Sequence, residues 1–172
     1  MTSKTWSRKF IAVVVAVAVL SVYSMVVLAA PGAKASGELS VSGQVTVNGQ
    51  KVISGGTLFT DSTINTASQS SASLSIAKVG RVELAPNSNL QIAFSGNSIN
   101  AMLETGSVTV STLAGVTVNL TTKDGTVVVD GTQATTFTAN ALKGRTAITT
   151  AAGLAQLRTG KTVKQIAAGE SV

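Results

Sequence analysis

The chain has 172 residues and a formal charge of +6, with 44% hydrophobic but only 3% aromatic side chains. It holds neither cysteine nor histidine, which excludes disulfides, thiol nucleophiles, thiolate or imidazole metal sites and any triad with a histidine base. Its length suits one ordinary domain behind a targeting segment, with a core built from Val, Ile, Leu and Ala.

Lys4, Arg8 and Lys9 come first, and an apolar run follows from Phe10 to Ala30, broken only by Ser21, Tyr23 and Ser24. This is an export segment, expected to form one N-terminal hydrophobic helix. A membrane-spanning helix needs about 20 residues, whereas a cleaved signal needs only about 7 to 15 apolar ones, so an uncleaved anchor is expected. Ala33-Lys34-Ala35 has the small-x-small form of a cleavage site and keeps a cleaved signal as the alternative. The cations ahead of the run place everything after Ala30 across the membrane. The expected location is therefore extracytoplasmic, on the periplasmic side of an inner membrane, or secreted if cleaved. Setting those three cations aside leaves 10 basic against 7 acidic residues, too thin and scattered an excess for a nucleic-acid partner.

Residues 31–37 are small and read as a flexible linker, with the folded domain spanning 38–172. From there apolar and polar residues alternate with period two. Ala72, Leu74 and Ile76 oppose Ser71, Ser73 and Ser75, and Val82 and Leu84 oppose Arg81 and Glu83. The pattern recurs at Leu90, Ile92 and Phe94, at Val108 and Val110, at Val116, Val118 and Leu120, and at Val127 and Val129. Turn signals separate the runs at Asn48-Gly49, Gly55-Gly56, Pro86-Asn87, Lys123-Asp124-Gly125, Asp130-Gly131 and Gly160-Lys161. Ala151 to Arg158 is read as a further strand. Many short strands at this spacing predict an all-β fold, either an irregular β-solenoid-like coil or a twisted β-sandwich.

The internal carboxylates Asp61, Glu83, Glu104, Asp124 and Asp130 are the residues from which any two-carboxylate hydrolase would draw its pair. Asp124 and Asp130 each precede glycine and are expected in tight turns. Glu83, two residues after Arg81 on the same wet face, is expected in a solvated ion pair. Asp61 sits in an oxygen-rich loop without the spaced carboxylates of a calcium loop, so a local turn role is expected. Pro86 marks a corner between strands. Lys143, Arg145, Lys161 and Lys164 read as solvated loop charge, or as a small basic patch for an acidic surface polymer should the fold gather them. No catalytic, cofactor-binding or metal residue is assigned, and no enzyme activity is expected.

Several segments taken in order resemble the FecR-type domain. They are Gly43-Gln44-Val45-Thr46-Val47-Asn48-Gly49, Ser54-Gly55-Gly56-Thr57-Leu58, Asp61 to Thr66, Ser70 to Ile76, Gly80 to Ser88 and Leu103-Glu104-Thr105-Gly106-Ser107-Val108. The resemblance covers most of Gly43 to about Val110, with looser similarity beyond. It implies a β-solenoid-like or all-β module outside the cytoplasm that binds other proteins and has no catalytic site. Fuller regulators of this kind carry a cytoplasmic anti-sigma segment, whereas only Met1 to Lys9 precede the apolar run, so no sigma-binding unit is expected. The expected function is non-enzymatic protein interaction in envelope sensing or assembly, with an envelope protein or surface polymer as partner. The alternative is a structural or adhesive surface β-protein.

Overall fold

The computed structural model describes residues 35–142 and 145–172. The apolar run, and with it the expected helix and its processing, lies outside the described residues, as does Lys143.

Among the described residues every regular element is a strand. They are β1 (Ser36–Ser42), β2 (Val45–Val47), β3 (Gln50–Lys51), β4 (Gly56–Phe59), β5 (Ser62–Thr66), β6 (Ser71–Ile76), β7 (Gly80–Leu84) and β8 (Asn89–Ser95). A long β9 (Ser98–Thr112) leads to β10 (Thr117–Thr121), β11 (Thr126–Val129), β12 (Thr135–Leu142), β13 (Arg145–Ala152), β14 (Leu154–Thr159) and β15 (Thr162–Ala167). Pairing begins at Ser36, two residues ahead of the expected start, because Gly37 already pairs with Leu58 across β1 and β4. A Cβ on Gly37 would lie 2.8 Å from Leu74 Cδ1, so the second residue of the strand is one with no side chain to place there.

The alternation read from the sequence is the alternation of burial. Ala72, Leu74 and Ile76, then Val82 and Leu84, then Leu90, Ile92 and Phe94 all face the core, as do Val118 and Leu120 of β10 and Val127 and Val129 of β11. Each fully buried Leu, Ile or Val contributes roughly 1.5–3 kcal/mol. With few aromatics available, this repeated aliphatic burial supplies most of the driving force. Ala151 and Ala152 close β13, Gly153 turns at φ +79°, and β14 begins at Leu154, so the expected strand over 151–158 is divided between two.

Hydrogen bonds join the 15 strands into one open sheet that divides at β9. On one side the order is β4-β1-β6-β7-β9-β12-β13. On the other it is β3-β2-β5-β8-β9-β10-β11-β14-β15. Residues 98–102 of β9 lie between β8 and β10, and residues 108–112 lie between β7 and β12. Both halves turn their apolar faces into one common core. The β9–β10 pair is parallel, while every other described strand pair is antiparallel. The chain thus folds by hairpins and crossings between halves, not by the parallel coil-on-coil stacking of a solenoid.

The passage between halves has a visible mechanism. Burial along β9 falls on Ile99, Ala101 and Leu103, and then shifts parity to Gly106, Val108, Val110 and Thr112. Register slips at the same place, with Asn89 opposite Thr105 and Leu90 opposite Leu103, so Glu104 is the extra residue of a bulge. Gly106 follows at φ +95°, and a Cβ there would lie 2.6 Å from Ser88 Cβ. Only glycine combines that left-handed backbone with that approach.

Candidate interaction surface

A broad concavity lies on the outer face of the β1–β13 half. It encloses about 480 Å3, and Ser40, Ser42, Ser71, Ser73, Glu83, Ser107 and Thr109 line it together with the apolar Val41, Ala72, Leu84 and Ala85. Strand register explains why hydroxyls gather there. Ser40 pairs with Ser73, Ser73 with Glu83, Glu83 with Thr109, Thr109 with Thr138, and Thr138 with Thr149. Each of these residues alternates with a core residue, so one row of the sheet presents five hydroxyls and one carboxylate outward. The Thr109 and Thr138 hydroxyls bond at 2.9 Å, and in the neighbouring row Thr136 donates to Ser111 at 3.2 Å.

Glu83 meets Arg81 at 3.6 Å, and both side chains are more than half exposed, as expected from their spacing. Such a pair contributes at most roughly 1 kcal/mol. Glu38 stands exposed in the same cross-strand row as Arg81, through Ser75, so the face carries a few scattered charges among its hydroxyls. Chemically, the surface offers hydrogen-bond donors and acceptors over a wide area, with little charge and no buried nucleophile.

Asp61 and Asp130 each stand in a turn of their own. Asp61 occupies a left-handed turn, φ +62°, where the chain crosses from β4 to β5. The bonds that hold that crossing run from Ser62 Oγ to the Phe59 carbonyl and from Phe94 N–H to Thr60 Oγ1. Among the described residues none involves the Asp61 carboxylate, so the expected carboxylate–backbone turn is replaced by neighbouring hydroxyls. Asp130 does form the expected turn. It accepts from the Thr132 N–H at 3.0 Å and hydroxyl at 2.8 Å, which hold its carboxyl below the ordinary carboxylate range.

Glu104 accepts from Asn89 Nδ2 at 2.9 Å, and Asp124 accepts from the Thr146 hydroxyl at 2.8 Å. These two carboxylates line one crevice of about 250 Å3 together with Lys123 and Arg145. Sequence reading missed this meeting because it depends on Thr146 of β13 reaching the β10–β11 turn, a contact between residues 22 apart.

The Pro86 corner directs its hydrogen bonds inward. Ser88 is almost wholly buried; its N–H donates to Thr66 Oγ1 at 2.9 Å and its hydroxyl accepts from Ser107 N–H at 3.0 Å. Thr66 Oγ1 in turn donates to the Ala85 carbonyl at 2.7 Å. The corner therefore bolts β5, β8 and β9 together.

The family model described as FecR protein matches residues 62–156, from the start of β5 into β14. The chain belongs to the FecR family. The matched span of this FecR protein starts later than the resemblance at Gly43 and reaches well beyond Val110. Two crystal structures of a candidate anti-sigma factor from Parabacteroides distasonis share its fold, with a TM-score of 0.55 at 13% identity. Each alignment covers 63% of the FecR chain and 52% of the solved one, so the chain spans about half the length of these solved relatives. At that identity the likeness is one of fold. No curated protein matches the chain.

Proposed function

We propose that the chain is a non-enzymatic, extracytoplasmic interaction module of the FecR type, working in envelope sensing or regulation through contacts with another protein. The observation that carries this reading is the FecR family match over residues 62–156. The fold shared with a candidate anti-sigma factor supports a regulatory setting. The wide hydroxyl face with its solvent-exposed Arg81–Glu83 pair supports surface recognition over acid–base chemistry, which requires positioned groups of tuned pKa. The basic residues ahead of the apolar run support display across the membrane, on the periplasmic side of an inner membrane.

The test is cross-linking and recovery of the tagged full chain from envelope extract. One or a few reproducible partners are expected, with yield reduced when Ser73 and Thr109 are replaced by arginine to obstruct the concavity. Failure to recover a specific partner under several growth conditions overturns the reading.

The largely uncharged Ser/Thr row favours a second reading, a structural or adhesive surface protein. Antibody access on intact cells separates the two. Labelling without permeabilisation supports adhesion, and labelling only after outer-membrane permeabilisation supports the periplasmic module.

A further inference from the structure

Within the described residues, Lys51, Lys78 and Arg81 are dispersed, but Lys123, Arg145, Arg158, Lys161 and Lys164 lie toward one end of the strands. Three connections bring them to one end of the molecule. The β10–β11 turn places Lys123 beside Asp124, which accepts from Thr146 near the start of β13, so Arg145 and Lys123 line one crevice. Thr126 pairs with Arg158, which sets the tip of the β14–β15 hairpin, Gly160-Lys161, beside that same turn. Lys164 pairs with Leu157 one step further along the hairpin. The two acidic residues in this region, Glu104 and Asp124, are already hydrogen-bonded to Asn89 and Thr146.

Beside this cationic end lies a sheet margin. β15 pairs only with β14, and its phase is fixed by Ala167, whose N–H donates to the Glu170 carboxylate at 2.9 Å and whose carbonyl accepts from Glu170 N–H at 3.0 Å. Ala167 thus points its backbone groups away from β14. In an antiparallel ladder alternate residues share that direction, so Val163 and Gln165 also present N–H and C=O outward. No hydrogen bond among the described residues uses them. The opposite sheet half shows what covering looks like: the C-terminal tail bonds Ile148 and Thr150 of β13 through Val172, Glu170 and Gly169. Val163 is 56% exposed, adding an apolar contact to the open margin.

We infer that the β15 margin accepts an extended acidic segment of a partner protein as an added strand, with Lys161 and Lys164 meeting its carboxylates. The inference rests on the reading of the chain as a protein-interaction module. Backbone hydrogen bonds along Val163 to Gln165 hold the incoming segment, and side-chain charge selects it. A second copy of this chain is a poor occupant, since pairing β15 with β15 would bring lysines against lysines.

The test uses the purified full chain in detergent and a fluorescent synthetic peptide of alternating glutamate and valine. Binding is expected at low salt and is expected to weaken as salt rises. Charge reversal at Lys161→Glu with Lys164→Glu should weaken it roughly tenfold or more, the summed effect of a few rim ion pairs. Gln165→Pro removes one outward N–H without removing a bond to β14, a change that edge strands tolerate, and should weaken binding similarly with an unchanged melting temperature. Should that variant fold poorly, N-methylation of the peptide backbone probes the same bonds from the other side. Binding unchanged by both the proline and the methylated peptide overturns strand addition, as does equal binding of a proline-interrupted glutamate peptide or of polyphosphate. No binding of any glutamate peptide overturns it outright. A natural partner recovered equally by wild type and Gln165→Pro overturns the margin while leaving the module reading intact.

Discussion

Gly106 carries two constraints at once, a left-handed backbone and a position against Ser88. Gly106→Ala should therefore destabilise the domain by about 2 kcal/mol or more, read as a lower denaturation midpoint in urea. Ser88→Ala leaves the Ser107 N–H without its acceptor and should cost about 1–3 kcal/mol in the same measurement. Thr150 points the other way. It is wholly buried, and its hydroxyl has no partner among the described residues, so Thr150→Val keeps the shape, removes a desolvated polar group and should stabilise by about 1 kcal/mol. At Asp130 the sign with pH follows from a folded pKa below the unfolded one. Its stabilising effect is complete above the unfolded pKa and fades as pH falls through the folded value. A carboxyl carbon NMR titration should place its midpoint below the ordinary carboxylate value, and Thr132→Val should raise it by removing the hydroxyl donor.

Among elements, β6, β7, β8, β10 and β11 were legible because each keeps one burial parity from end to end. β9 was not. Its parity changes at Glu104-Thr105, so the sequence reads as separate short runs where the structure has 15 continuous residues. The same parity change hid the role of Glu104, which looks like a spare carboxylate in sequence and is the bulged residue of the crossing. The hydroxyl face was half legible: Ser71, Ser73 and Ser75 were read as a wet face, but the row through Glu83, Thr109 and Thr138 exists only once distant strands are in register. The tail is the clearest element-scale test. Removing residues 169–172 strips four backbone hydrogen bonds from β13 and uncovers its edge. The expected loss is roughly 2–4 kcal/mol, with self-association at high concentration seen by sedimentation, because bare sheet edges template pairing.

For the whole molecule, the family match and the folded body do not coincide. Residues 62–156 begin at β5 and stop within β14. That span leaves out β1, which pairs with β6, and β15, which pairs with β14. Leu39 and Ile166 of the common core lie outside it as well. Leu103→Ala, at the crossing and fully buried, should cost about 2–5 kcal/mol and lower the melting of both halves together in one transition. Two separable transitions would show that the halves fold independently. The shared strand also sets an order in time. As the chain is synthesised from its N-terminus, neither half of the sheet can be completed until residues 98–112 have arrived, so the middle of the polypeptide acts as the clock of folding.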